Sequence, residues 1–216
     1  MDATAVDLPQ VIPIFPLDGT VLLPGGELPL RIFEPRYLNM IDDAMAADRM
    51  IGMVQTAGGE KARPNLAMVG CAGKITSFNE ASDGTYLITL TGICRFALDG
   101  ELAVRTPYRQ VRAAFSPFAV DLSEDDDGGE VFEDSRFAKA LKTYLHRQDL
   151  AIDWQSAAVA PLESLVNSLA MGLPFSPAEK QALLEAATLV ERTEILTTLL
   201  EIDAQNWDGD TPTSLQ

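Results

Sequence analysis

The chain has 216 residues, 47% of them hydrophobic, which is enough to bury a core in one large domain or two small ones. Its 32 acidic against 16 basic side chains give a net charge of −16, which opposes nucleic-acid binding, where Lys and Arg must displace counterions from phosphates, and also opposes an anionic membrane surface. The imbalance is uneven, with −3 over residues 1–120 and −13 over residues 121–216.

The first residues, Met1 to Pro9, carry Asp2 and Asp7 and no basic run before an apolar stretch, so no secretory signal is expected. No segment approaches the ~18 apolar residues of a membrane span. Cys71 and Cys94 sit in apolar, strand-like runs without metal or redox spacing, so buried free thiols and a cytoplasmic location are expected.

Val11 to Leu17 is extended, because Pro13 and Pro16 remove donors and bias their predecessors away from helix. Pro24-Gly25-Gly26 is a turn, and Leu28, Leu30 and Ile32 then alternate with the period of a half-buried strand. Glu34-Pro35-Arg36-Tyr37 opens a helix with proline in its first turn, and Leu38, Ile41 and Met45 follow at helical spacing towards an end near Asp48. Met50 to Thr56 reads as a strand and Gly58 to Asn65 as a loop. Leu66 to Phe78 and Thr85 to Thr91 flank the turn cluster Ser82-Asp83-Gly84 as a long hairpin. Ile93 to Leu98 and Tyr108 to Phe115 complete a set of roughly six strands with one helix, suited to a small closed or nearly closed barrel.

Asp121 to Asp134 holds eight acids and no base, and marks the boundary of a helical second part. There Phe137, Leu141, Tyr144 and Leu145 share one helix face, and Leu162, Leu165, Val166 and Leu169 another. Ser176-Pro177-Ala178-Glu179 is a capping box, Thr188 to Glu191 repeats its Thr-x-x-Glu pattern, and Ile195, Leu196, Leu199, Leu200 and Ile202 are expected inward on a last helix. The reading is an α+β chain, with a barrel over 1–118, an acidic linker over 119–134, a helical subdomain of four helices over 135–206 and a frayed tail over 207–216.

No catalytic, cofactor or metal constellation emerges. Gly70-Cys71-Ala72-Gly73-Lys74-Ile75 is too short between its glycines for a phosphate loop, and Ile75 stands where a magnesium-binding hydroxyl is needed. His146, the single histidine, has no nucleophile elbow to serve, and lies near a helix end where a cation-capable side chain suits the dipole. The run Glu124 to Asp127 lacks the spacing of a calcium loop. Met40, Met45, Met50, Met53 and Met68 crowd one 29-residue window; they form either an adaptable surface for apolar partners or filler between the first helix and the strands.

Three runs carry a resemblance: Ile12 to Leu17, Val21 to Gly25, and Leu28-Pro29-Leu30-Arg31-Ile32-Phe33-Glu34-Pro35-Arg36-Tyr37. Together they resemble the opening of the amino-terminal, substrate-binding domain of Lon proteases. Gly92-Ile93-Cys94-Arg95-Phe96 is similar to that family's later Gly-x-x-Arg-Phe strand, and Lys180 to Glu185 with Arg192 to its helical signature. The resemblance covers residues 10 to 203 and implies a PUA-like β-barrel followed by a helical bundle, a part that in Lon helps recognise substrates and supports assembly. No ATPase or Ser-Lys peptidase sequence follows here, so a stand-alone, non-catalytic module without cofactor is expected. Its partners would be unfolded or exposed peptide segments, or a protease or chaperone to which it acts as adaptor; a weak homodimer is a further expectation. The alternatives are a PUA-like small-molecule or RNA binder, with Arg105, Arg109 and Arg112 as a local basic patch, and an unrecognised hydrolase. Phe33 and Tyr37 are expected to pack the helix onto the barrel, Glu34 to favour the helix start, and Arg31, Arg36 and Arg95 to form salt bridges.

Overall fold

A computed structural model of the protein describes residues 8–60, 63–123, 135–150, 152, 154, 157 and 160–206. The strands are β1 (Val11–Pro16), β2 (Glu27–Ile32), β3 (Met50–Glu60), β4 (Arg63–Glu80), β5 (Tyr86–Glu101) and β6 (Gln110–Ala114). The helices are α1 (Pro35–Met45), α2 (Arg136–Arg147), α3 (Leu162–Gly172), α4 (Pro177–Glu185) and α5 (Leu189–Asn206), with a 3₁₀ segment over Ser116–Leu122.

The sheet runs in the order β2-β5-β4-β3-β1-β6, and β5 also pairs with β6 at Ala97↔Ala114 and Leu98↔Ala113. The ladder β5-β4-β3-β1-β6 therefore returns to its first strand, with β2 attached along β5 from Glu27↔Thr91 to Ile32↔Tyr86. All pairings are antiparallel except β1 with β3. Inside lie Ile12, Ile14, Met50, Val54, Ala72, Phe96 and Val111.

Two expected breaks are absent. The segments Thr85 to Thr91 and Ile93 to Leu98 are one strand, because Gly92 lets the chain pass where a Cβ would lie 2.0 Å from the Leu23 carbonyl oxygen. The loop expected at Gly58–Asn65 is narrowed by strand on both sides, with Gly58 and Gly59 taking φ of +77° and +90° at a register shift in the β3–β4 ladder. On α1 the buried stripe is Tyr37, Met40, Ile41 and Ala44, so Ile41 lies inward as expected, while Tyr37 and Ala44 are buried in place of their neighbours Leu38 and Met45.

The chain divides into two compact units, Met1–Asp125 with Asn167–Glu185, and Asp126–Val166 with Ala186–Gln216. This corrects the expected division, in which everything over 135–206 is one helical subdomain. Residues 167–185 belong with the strands because their polar groups bond there. Buried Gln55 on β3 donates to the Pro177 carbonyl (2.9 Å) and to the Gln181 side chain (3.0 Å), and Gln181 donates to the Val69 carbonyl (3.1 Å). Asn167 donates to the Pro24 carbonyl at 2.9 Å. A buried amide left unpaired costs ~1–3 kcal/mol, so each bond ties these residues to the first unit. The capping box is present, with Ser176 N–H donating to Glu179 at 2.7 Å and Glu179 N–H donating to the Ser176 hydroxyl at 3.4 Å.

The beginning of the expected linker is also corrected. Ser116–Leu122 is helical, and the Asp121 side chain is buried against Arg95. From residue 124 the linker lies outside the described residues, as does the tail 207–216.

In the second unit α2 packs on α5, with Phe137, Leu141, Tyr144 and Leu145 buried on α2 and Leu196 and Leu200 buried on α5. Gln148 donates to Asp203 at 2.9 Å, and Arg136 pairs with Glu201. Ile202, expected inward, is exposed.

Candidate recognition surface

Strand β2 delivers the chain to α1. Glu34 holds the N-cap position with extended backbone and makes no side-chain cap bond; its carboxylate instead accepts from Arg36 Nε at 3.0 Å. Pro35 fits the first turn because that turn has no use for its missing N–H. Tyr37 is buried, meets Phe15 edge-on at 4.3 Å between ring centres, and has the Arg36 guanidinium 4.5 Å from its ring centre. Phe33 does not pack the helix inward as expected: it is 66% exposed, because the alternation of β2 turns it away from buried Ile32. Leu87, paired across from Arg31, is 45% exposed. Arg31 donates to Asp83 at 2.6 Å and thereby braces the β4–β5 turn.

Beside α1 lies a cavity of about 190 Å³. The first turn of α1 supplies Arg36 and Tyr37, the start of β4 supplies Arg63 and Pro64, and the segment before β6 supplies Tyr108 and Arg109. Arg109 is fixed in place: Nε and Nη2 donate to Glu101 at 2.9 and 2.7 Å, and Nη1 donates to the Pro64 carbonyl at 2.8 Å. Glu101 also accepts from Arg63 at 2.9 Å. The Arg109 hydrogen bond, helped by the Arg63 one and opposed by partial burial, holds the Glu101 carboxyl below its usual range. Tyr108 donates to Asp43 at 2.6 Å, and burial together with that carboxylate pushes its phenol up to about 12. Burial raises the Tyr37 phenol, and Arg36 partly offsets it. Of the three arginines close in sequence, Arg109 bonds Glu101 and the Pro64 carbonyl, while Arg105 and Arg112 are exposed.

Most of the other motif residues are internal, Glu185 excepted. Arg95 is 1% exposed; it donates to Asp121 (2.7 Å) and the Leu184 carbonyl (3.1 Å) and lies 4.6 Å from the Phe118 ring centre. Phe96 fills the core, and Lys180 donates to the Met171 carbonyl at 3.0 Å, closing the end of α3. Glu185 accepts from Gln181 at 2.7 Å, and Arg192 is buried.

The methionine surface is corrected. Met40, Met50 and Met53 are buried, Met45 is half-buried, and Met68 alone of the five is exposed, so four of them fill space around α1 and the strands. Cys71 and Cys94 are buried, and burial, reinforced by Asp121, pushes the Cys94 thiol up to about 12, away from reactive thiolate chemistry. His146 is exposed in the last turn of α2. Among the described residues no group of three His, Cys, Asp or Glu is placed to hold a metal, and no helix is long and apolar enough to cross a membrane. A shallow groove of about 530 Å³ in the second unit is lined by Lys139, Thr143 and Arg147 beside the Arg136–Glu201 pair.

Comparison with known proteins matches this architecture to one family. Lon protease 2 of Myxococcus xanthus is 30% identical over 204 residues, covering 90% of this chain and 24% of the relative. Lon protease of Anaeromyxobacter dehalogenans is 28% identical over 204 residues, covering 90% and 23%. The chain thus spans about a quarter of the length of the curated relatives it matches. Among solved structures, a Lon N-terminal domain protein from Xanthomonas campestris superposes with a TM-score of 0.63 at 22% identity, covering 87% of this chain and 97% of that one. The N-terminal domain of Lon protease from the Mycobacterium avium complex superposes at 0.62 with 16% identity, covering 92% and 100%. Residues 11–201 match the family described as the ATP-dependent protease La (LON) substrate-binding domain, and the chain belongs to that family.

Proposed function

We propose that this chain is a recognition module that binds extended segments of protein substrates without transforming them, and presents them to a separate protease or chaperone. The match of residues 11–201 to a substrate-binding domain carries the reading. The returning ladder, read as a PUA-like barrel, supplies a rigid frame. Among the described strands β2 has a single sheet neighbour, so its outer edge keeps backbone groups free for an added strand. Phe33, just after β2, and Leu87, on the neighbouring β5, stand exposed and offer the apolar contact a client segment needs. Solvation by the −16 charge suits work in the cytoplasm.

The test is fluorescence anisotropy of a labelled, chemically unfolded polypeptide titrated with the 216-residue chain. Binding is expected, and Phe33→Asp weakens it about tenfold with little change in melting midpoint, because Phe33 is 66% exposed. Absence of binding by the natural sequence refutes the function, and undiminished binding by Phe33→Asp refutes the surface.

A further inference from the structure

The cavity beside α1 has a composition that neither the fold nor the family reading requires. In a chain of net charge −16, three arginines from three separate segments converge on one hollow. All three have N–H groups that no bond among the described residues uses; Arg63, which bonds Glu101 through Nη2 alone, is the most exposed of them. Of the five N–H groups of a guanidinium, Arg109 gives three to Glu101 and Pro64 and keeps two, while Arg36 gives two to Glu34 and keeps three. Tyr37 is 7% exposed and lines the same cavity, yet among the described residues no group hydrogen-bonds its hydroxyl. The hydroxyl is not one of the fully buried, unsatisfied side-chain atoms, so it reaches the open space of the cavity, where a ligand acceptor can take the place of solvent.

We propose that this cavity binds a carboxylate, with Arg36 and Arg109 as its charged donors and the Tyr37 hydroxyl as its neutral one. Guanidinium forks match the two oxygens of a carboxylate. Charge selects a single negative ligand: Glu34 and Glu101 already balance two of the three arginines, and Asp43 stands behind Tyr108, so a doubly charged group meets repulsion. A hollow of about 190 Å³ equals roughly six water volumes, room for a short acid and not for a nucleotide. Arg109 is locked by Glu101 and Pro64 before any ligand arrives, so little ordering is left to do on binding. The carboxylate comes either from an acidic residue of a polypeptide or from a free small acid.

The experiment is an NMR titration of the isotope-labelled 216-residue chain, following arginine Nε–Hε and tyrosine ring signals. Its probes are sodium propionate, a capped Gly/Ser octapeptide carrying one Glu, the same peptide with Gln, and inorganic phosphate. Propionate and the Glu peptide are expected to shift the Arg36 and Arg109 signals, and the Gln peptide to leave them in place. Tyr37→Phe keeps the ring packing on Phe15 and removes only the hydroxyl, so the backbone spectrum persists while affinity for both acids falls about tenfold. Tighter binding of the Glu peptide than of propionate identifies a polypeptide source, and the reverse order a free acid. The proposal is overturned if neither acid moves the arginine signals, if phosphate binds as tightly as propionate, or if Tyr37→Phe binds both acids unchanged. The propionate arm needs no polypeptide, so its failure is separate from failure of the unfolded-chain titration.

Discussion

Replacing Asp121 with Ala leaves a guanidinium inside the first unit without its counter-charge. Arg95 and Asp121 side chains are 2% and 5% exposed, and the carboxylate accepts from the Arg95 backbone N–H (2.9 Å), Nε (2.9 Å) and Nη2 (2.7 Å). After truncation the cation keeps the Leu184 carbonyl at 3.1 Å and the Phe118 ring face at 4.6 Å, neither of which carries a negative charge. Breaking a buried pair from one side costs about 3–5 kcal/mol, a large part of the 5–15 kcal/mol that holds a typical domain. A fall in melting midpoint of about 10 °C is expected. Urea titration by circular dichroism reads the loss, and hydrogen exchange of the β5 amides assigns it to the first unit, since two units need not unfold together. The pair Arg95→Met with Asp121→Leu should recover much of the deficit, because a well-packed apolar pair avoids the desolvation of both charges. A loss below ~1 kcal/mol for Asp121→Ala refutes the assignment of Arg95 as a buried, pair-dependent strut.

Gly92→Ala places a methyl carbon 2.0 Å from the Leu23 carbonyl oxygen, so β5 and the 23–26 turn must separate; soluble yield or urea stability should drop by about 3 kcal/mol, whereas Gly172→Ala, with open space around it, should change stability by less than ~1 kcal/mol. Equal behaviour of the two variants contradicts the close approach. The folded chain holds the Glu101 proton less tightly than the unfolded chain, whose glutamates titrate near ~4.3. Its stabilisation is therefore complete above that value and lost as pH falls through the depressed folded one. Melting midpoints from pH 7 down to 3 should fall less steeply for Glu101→Gln than for the natural sequence, and parallel curves contradict the pairing.

Local chemistry made much of this fold legible. Pro24-Gly25-Gly26, Ser82-Asp83-Gly84 and Ser176 to Glu179 mark turns and a helix start by conformational demands that hold in any context. The α1 register was harder, because Leu38 and Met45 are as apolar as Tyr37 and Met40, and only the strands beneath decide which stripe is buried. Gly92 looks like a strand break in sequence and acts as a site of close approach, a distinction set by Leu23, which lies 69 positions earlier. The division into units was illegible for the same reason: residues 167–185 are helical in pattern like their neighbours, and their attachment to the strands rests on single amides such as Gln55 and Asn167.

Recognition is the level at which sequence reading fails most sharply here, and the arginines explain why. Arg36, Arg63 and Arg109 lie in unrelated segments, and no spacing rule joins them; the closing ladder brings the start of β4 and the approach to β6 together next to α1. Residues clustered in sequence, the methionines, are scattered into the interior, because a 29-residue window spans helix and strands with different inward faces. A ligand site on such a frame is assembled from segment ends, where backbone direction changes and side chains from several elements converge. Motif residues such as Arg95 and Lys180 instead hold those ends in place, through the Leu184 and Met171 carbonyls. The family signature therefore identifies the frame and includes Arg36 and Tyr37, while Arg109, the third residue of the proposed ligand site, lies outside it and joins them only through the fold.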